Sequence, residues 1–450
     1  MRIRLGTPLT LREICYATSG VSHISDRCIY HISTDSRETF AGDLFITLTG
    51  SSSGIKYIPE AKDRGAVILS SDGRADIVVR DTQNSLLSLA AYYRRRKLPK
   101  LIETVAITGS VGKTTTKEIL YKALDGAYIT HKNEGNYNNA IGMSLTILST
   151  PAETEFLILE MGMNHRGEIS ALSKCAAPTI AIITNIGTSH IGNLGSKEEI
   201  AAAKLELLDG LDGPLIVPHS EPLLKGYGTY TFSLSDPSAD TFIQNVCTEK
   251  SFCSYEVFSG GLPMGISFSS NAPHIVECLA AAVTVLQFIG FDFTANKRLF
   301  SNISEYNMRQ NISKIGDFFI LSDYYNASFE SFKSGFEYIK GLVKFPRKSA
   351  VIGDVMELGD FSKEIHFNIG FSAASYDFDK LYLFGKYAPS VASGATSAGY
   401  PPERIFINTD TDFPEKTATD IISNHTPGEI IFMKASHAVR LDRILPLLKK

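Results

Sequence analysis

The chain has 450 residues, 44% of them apolar and 20% charged, with 35 glycines, 18 prolines and no low-complexity tract. At roughly ~150 residues per domain this predicts about three globular domains and excludes collagen-like, coiled-coil and disordered classes. The 44 basic residues against 48 acidic leave a net charge of -4, so no whole-chain field recruits nucleic acid or an anionic membrane.

Three blocks follow one another. Residues 1–99 mix short strand candidates, Asp43 to Ile46 and Ala66 to Leu69, with helical stretches, and end in Arg94-Arg95-Arg96-Lys97-Leu98-Pro99, which reads as a linker. Residues 100–307 alternate apolar strands (Val105 to Ile107, Phe156 to Leu159, Ile180 to Ile183) with helices, the pattern of a parallel sheet covered on both faces. An apolar helix starts near Val276. Residues 308–450 repeat the alternation, with strands at Phe318 to Leu321, Ala350 to Ile352, Leu381 to Phe384, Ile405 to Ile407 and Ile430 to Met433. The fold class is therefore α/β in three domains: a small N-terminal α/β domain, a central P-loop-type parallel-sheet domain, and a C-terminal Rossmann-like domain.

The longest apolar stretch, Cys278 to Phe291, is interrupted by Thr284 and Gln287 and is shorter than a membrane span requires. Arg2 and Arg4 precede no apolar signal core, so a cytoplasmic location is expected. The six cysteines contain no C-x-x-C pair, which argues against a disulfide framework or a structural zinc.

The sharpest local signal is Thr108-Gly109-Ser110-Val111-Gly112-Lys113-Thr114-Thr115, between the strand candidate Val105 to Ile107 and the helix candidate Thr116 to Leu124. Glycines let the backbone approach phosphate oxygens, and the loop amides and helix N-terminus supply donors. Lys113 can reach β and γ phosphates and Thr114 can ligate Mg²⁺. Ile107 stands where the first glycine of the longer G-x-x-x-x-G-K-[ST] pattern would be, so the loop is a shortened variant. A plain strand-to-helix turn is the bland alternative, yet such a string arises by chance in a chain of this length on the order of once in a hundred. The lack of an N-K-x-D tetrapeptide after it leans towards ATP over GTP.

Glu160 ends the run Phe156 to Leu159, and His190 follows the strand Thr179 to Ile183. Both fall at carboxyl ends of strands, where ligands of open parallel sheets gather, and Glu160 could hold Mg²⁺ there. A lone strand-end acid is otherwise a solvated residue, and a single histidine is more often structural. Ser196 and Glu199 fit a capping box opening a helix over Lys197 to Leu211. Its apolar face is Ile200, Ala203, Leu207, Leu208 and Leu211, and Lys204 falls on that face, either snorkelling to its rim or working near the phosphates. Asn136, Asn138 and Asn139 are by default turn formers.

Taken together these residues resemble the Mur ligase family, ATP-dependent amide ligases of peptidoglycan precursor synthesis, and most of all its branch that adds D-alanyl-D-alanine. The resembling segments are Thr34 to Arg37, Gly42 to Phe45, Thr108 to Thr115, Gly135 to Gly142, Leu159 to Gly162, Ile183 to His190, Ala203 to Glu206, Arg309, Asp323 to Ala327 and Gly353 to Gly359. The resemblance implies a UDP-binding N-terminal domain with Asp35, Ser36 and Arg37 at the UDP-precursor, and Asn136 and Thr184 as further substrate contacts. Lys113 would bind phosphates, with Asn139, Arg309 and Asp323 also at ATP. Thr114, Glu160 and His190 would serve magnesium, Lys204 would be carbamylated, and Tyr325 and Asn326 would meet the dipeptide.

Catalysis would then rest on Lys113, Glu160, His190, Lys204 and Arg309. The implied partners are UDP-N-acetylmuramoyl-tripeptide and D-alanyl-D-alanine, with no nucleic acid, no membrane insertion and a monomeric chain. Departures from the family pattern are Ile275 and Cys278 at two asparagine positions, Ser53-Gly54-Ile55 for Asp-Gly-His, and Lys434-Ala435-Ser436-His437 for Lys-Gly-Ser-Arg. They motivate two rivals: a related ligase using another amine, and a nucleotide- or precursor-binding protein without turnover.

Overall fold

The structure, a computed structural model, describes residues 1–48, 53–248, 253–270, 273–293, 311–324 and 326–449. Arg309, Tyr325 and the expected block boundary near residue 307 lie outside the described residues. Among the described residues the fold is α/β, with three sheets of six, nine and six strands. The chain divides into two compact units: Met1–Thr108, Leu120–Ile182 and Ala203–Leu215 form the first, and Gly109–Ile119, Ile183–Ala202 and Ile216–Lys450 the second.

In the first unit, strand Arg2–Thr10 pairs antiparallel with Cys28–Ser33, after which Leu44–Ile46, Val67–Ser70 and Ile77–Val78 continue in parallel. Leu44, Phe45, Ile46, Ile68 and Leu69 are buried, as short all-apolar parallel strands require. Buried Asp43 pins this sheet's edge, accepting from Arg2 Nε at 2.7 Å, Arg2 Nη2 at 3.1 Å and the Phe40 amide at 2.9 Å.

Helix Thr82–Lys97 starts where the Asp81 carboxylate accepts the Asn84 amide at 2.7 Å. The basic run expected to be a linker is instead its last turn. Half-buried Arg94 donates to the carbonyl of Ala177, the left-handed residue ending helix Glu168–Ala176, at 2.6 Å. A cation at a helix C-terminus meets the negative end of its dipole, so this arginine docks rather than links. One residue earlier, the fully buried Tyr93 hydroxyl accepts from the Thr7 amide at 2.6 Å and donates to Thr150 O at 2.9 Å. Gly6 lies so close that a Cβ there would fall 2.0 Å from Thr150 O.

The first unit also contains strands Thr130–Lys132, Phe156–Glu160, Glu103–Thr108 and Ile180–Ile183 of the second sheet. Phe156–Glu160 pairs in parallel with both of the first-named neighbours, with Ile107 opposite Glu160. In the second unit, Tyr230–Ser233 and Thr241–Thr248 continue in parallel from Leu215–Pro218, and two antiparallel strands, Cys253–Ser259 and Leu262–Ser270, extend the edge. That extension departs from the simple strand-helix alternation. The apolar helix runs over Pro273–Phe288.

The helix expected over Lys197 to Leu211 is α-helical over Lys197–Leu205 and tightens to a 3-10 turn at Glu206–Asp209 before Gly210. Ser196 Oγ does accept the Glu199 amide, at 3.1 Å. The change of pitch turns Leu208 out, 39% exposed, while Ile200, Ala203 and Leu207 stay buried.

The third sheet has the order Asn311–Ile315, Phe318–Asp323, Glu429–Lys434, Arg347–Gly353, Lys380–Phe384, Ile405–Asn408, parallel except for the first hairpin. The last strand in sequence inserts between the second and third. The carboxyl ends of Phe318–Asp323, Glu429–Lys434 and Arg347–Gly353 thus lie side by side, the usual place for a ligand in a doubly wound sheet.

Replacing Tyr93 by Phe strands the Thr7 amide and Thr150 carbonyl in a dry site and is expected to cost about 1–3 kcal/mol. Thermal unfolding of the first unit's transition checks this; an unchanged midpoint would remove the hydroxyl from the account.

Candidate active site

The phosphate loop turns between Thr108, which ends its strand, and Lys113, which starts helix Lys113–Leu124 three residues earlier than expected. Gly109 has φ +146° and Gly112 φ +88°, both in the region that favours glycine. A Cβ on Gly109 would lie 1.9 Å from Thr184 Oγ1, and one on Gly112 2.8 Å from Cys278 Sγ.

The loop is braced by the segment after strand Ile180–Ile183. Asn185 Oδ1 accepts the amides of Ser110 at 3.2 Å and Val111 at 2.9 Å, and its Nδ2 donates to Val111 O at 3.0 Å. Thr184 Oγ1 donates to the same carbonyl at 2.6 Å, and the Gly187 amide donates to Ser110 Oγ at 2.8 Å. Thr184, expected at the substrate, thus touches the phosphate loop. Asn185 was missed, although its place two residues past a buried strand end was a usable signal.

The Ser110 and Val111 amides are taken by Asn185, and the first helical bond after the loop is Thr116 to Gly112 at 2.9 Å. Lys113 Nζ folds back onto Gly109 O at 2.7 Å. Cys278, standing where the family pattern has asparagine, is buried with Sγ 3.6 Å from Gly112 O. Lys117, one turn along the helix, is buried with its ammonium 3.6 Å from the Glu118 carboxylate.

In the first unit, Thr108 Oγ1 donates to Met161 O at 2.9 Å. Glu160 is 2% exposed and its Oε1 accepts from Asn138 Nδ2 at 2.8 Å. Buried Asn133 clasps the Glu160 backbone from both sides, accepting its amide at 2.9 Å and donating to its carbonyl at 3.0 Å. Asn139 caps helix Ala140–Ser149 through the Gly142 amide at 2.9 Å, and Asn136 is exposed in the preceding turn. Lys204 is 2% exposed, as its place on the apolar face demanded.

His190 adopts φ +65° and its Nδ1 lies 2.6 Å from Glu357 Oε2, in the same unit. Two residues earlier, Thr188 donates its amide and hydroxyl to the Glu330 carboxylate at 2.9 and 3.0 Å. Nothing in the local pattern marked Glu330 or Glu357 as partners of this loop.

At the carboxyl ends of the third sheet's strands, Lys434 Nζ pairs with Asp323 Oδ2 at 2.6 Å and also reaches Asn326 O at 3.2 Å. The lysine is buried, and it fixes the carbonyl of Asn326 as well as the Asp323 carboxylate. Buried Asp354 accepts the Lys386 and Tyr387 amides at 2.8 and 3.0 Å, sealing the start of helix Ala388–Ser397. In the first sheet Asp35 takes a bidentate grip on exposed Arg37, with contacts of 2.9 and 2.6 Å, and the guanidinium holds its carboxyl well below the usual range. Ser36 is buried and donates to Glu60 at 2.7 Å.

Replacing Asn185 by Ala removes the acceptor of two loop amides. Affinity for a nucleotide such as ADP should fall by about tenfold or more, the equivalent of one or two lost buried hydrogen bonds. Calorimetric titration against the unaltered protein checks this, and equal affinity would show that the loop shapes itself.

Comparison with known proteins covers nearly the whole chain. Residues 107–286 match the Mur ligase middle domain. The chain is 31% identical to the UDP-N-acetylmuramoyl-tripeptide--D-alanyl-D-alanine ligase of Bacillus subtilis over 98% of its own length and 97% of the relative's. It is also 31% identical to that of Rickettsia prowazekii over 91% and 93%. Among solved structures, MurF from Acinetobacter baumannii superposes with a TM-score of 0.88 at 25% identity, covering 99% of this chain and 100% of that one. MurF from Thermotoga maritima in complex with ADP gives 0.78 at 27% identity, covering 93% and 96%. With a relative this similar along its whole length, the chain belongs to the Mur ligase family.

Proposed function

We propose that the protein is an ATP-dependent ligase that joins D-alanyl-D-alanine to UDP-N-acetylmuramoyl-tripeptide in peptidoglycan precursor synthesis. The observation that carries this is similarity to ligases of that name over 98% of the chain, spanning all three sheets and the phosphate loop.

A carboxylate is a poor electrophile. Transfer of the γ-phosphoryl group of ATP to the tripeptide's terminal carboxylate gives an acyl phosphate and ADP. The dipeptide's amine then attacks the carbonyl carbon, the amide bond forms, and phosphate leaves as the amine gives up its proton. Lys113 and Arg309 spread the charge of the transferring group, work that is mainly positioning and electrostatics. Asn139 and Asp323 complete the nucleotide contacts, Asp35, Ser36 and Arg37 take the UDP end, Asn136 and Thr184 the acceptor, and Tyr325 and Asn326 the dipeptide.

Thr114, Glu160 and His190 are the residues that would bind Mg²⁺. Among the described residues no group of three or more His, Cys, Asp or Glu side chains forms a cage. A hydroxyl, a carboxylate and an imidazole fit a cation that takes its remaining ligands from phosphates and water, which is the habit of magnesium. When bound, the cation neutralises charge on the transferring phosphates. Carbamylation of Lys204 would turn a buried ammonium into an anion suited to the same cation, and electron density at its Nζ tests it.

No helix among the described residues is long and apolar enough to cross a membrane. Cytoplasmic residence, where nucleotide and UDP-precursor meet, and a monomeric state complete the reading.

ADP release measured with ATP, UDP-N-acetylmuramoyl-tripeptide and D-alanyl-D-alanine should fall at least about a hundredfold in Lys113→Ala. Equal rates in the two proteins would sink the mechanism. Single amino acids offered in place of the dipeptide should support no turnover.

A further inference from the structure

Two glutamates, Glu330 in the helix after strand Phe318–Asp323 and Glu357 in the loop after strand Arg347–Gly353, grip one short segment, Gly187 to Gly192, that itself braces the phosphate loop. Glu330, in the first turn of helix Phe329–Gly341, accepts both the amide and hydroxyl of Thr188 and lies against Gly187, where a Cβ would come within 2.7 Å of its carboxyl carbon. The next link inward is the Gly187 amide on Ser110 Oγ, at 2.8 Å. Glu357 accepts the Gly192 amide on its backbone carbonyl at 3.1 Å and meets His190 Nδ1 with its side chain at 2.6 Å. Gly192 and Gly359 touch backbone to backbone, and a Cβ on Gly192 would sit 2.4 Å from the Gly359 nitrogen. His190 and Glu357 both occupy the left-handed region, at φ +65° and +63°. Non-glycine residues persist there where their surroundings hold them.

We propose that Glu357 is a positioning residue for His190: it accepts the Nδ1 proton and so places the imidazole lone pair on Nε2, and it does so only while the helix and loop that follow these two strands are docked on Gly187 to Gly192. The inference rests on the reading of His190 as a magnesium-site residue. An ionised carboxylate can only accept, so a neutral ring facing it at hydrogen-bond distance carries its proton on Nδ1. A metal binds the other nitrogen, and a carboxylate behind the ring fixes its orientation and raises its basicity. The site thereby senses docking through a chain of direct contacts, Glu330 to Thr188 and Glu357 to His190, rather than through an unspecified path.

The test uses full-length protein with two readouts. Ring ¹⁵N spectra of the histidines, with His190 assigned by His190→Gln, report the tautomer. Electron paramagnetic resonance titration of Mn²⁺ in the presence of ADP reports metal affinity. The unaltered protein should show His190 protonated on Nδ1. In Glu357→Ala that signature should be lost and Mn²⁺ affinity fall about 10- to 100-fold, with metal-free ADP binding and circular dichroism unchanged. Glu357→Gln, which keeps an acceptor oxygen, should retain the tautomer. Glu330→Ala, remote from the ring, should shift the His190 signal in the same direction as Glu357→Ala.

A folded Glu357→Ala protein with unchanged ring signature and Mn²⁺ affinity within twofold would overturn the proposal, as would an unaltered protein with His190 protonated on Nε2 or doubly protonated. Lack of ADP-dependent Mn²⁺ binding in the unaltered protein would instead overturn the reading of the nucleotide site.

Discussion

The contact from which the geometry of the glycine loop follows is the one made by the segment after strand Ile180–Ile183. Thr184 and Asn185 stand at the end of strand Ile180–Ile183 and take hold of Ser110 and Val111 through four side-chain hydrogen bonds. Gly109 permits the approach, because any side chain there would occupy the position of Thr184 Oγ1. The Ser110 and Val111 amides are both engaged in this bracing. Such a loop is set before a ligand arrives, which is how fixed dipoles contribute to catalysis without reorganising during it.

The same economy recurs at the charged groups. Glu160 is held by Asn138 at its side chain and by Asn133 at its backbone. Asp323 is held by Lys434, and Lys434 in turn supports the carbonyl of Asn326. A buried charge without a partner would be costly, so each is hydrogen-bonded and aimed by its neighbour. The residues replaced relative to the family pattern fit this scheme differently. Cys278 packs its sulfur against Gly112, and so fills space at the loop where an amide would make polar contacts. Lys434, in the altered Lys-Ala-Ser-His string, keeps its ion pair.

Some parts of this architecture were readable from local pattern. Runs such as Phe156 to Leu159 and Ile180 to Ile183 are buried strands because four consecutive apolar residues between turn signals have few other uses. The capping serine at 196 and the inward Lys204 followed from helical spacing, and they were found there. Spacing failed where a longer-range partner decided the outcome. Arg94 to Lys97 has the composition of a linker, yet these residues form the last turn of a helix whose Arg94 is tied to the carbonyl of Ala177. The regular period from Lys197 to Leu211 breaks because Gly210 packs against the backbone of Ser173, where a Cβ would come within 2.3 Å of its carbonyl oxygen.

By itself the amino-acid order determined the α/β class, the glycine turn between Thr108 and Lys113, and the strand that ends at Glu160, because glycine freedom, capping and hydrophobic period act within a few residues of the chain. Tertiary structure alone decided that Asn185 shapes the loop, that Lys434 claims Asp323, and that Glu357 faces His190. These partners lie 74, 111 and 167 residues apart along the chain. Pairings at that distance are selected by how sheets and loops pack, and no local period records them.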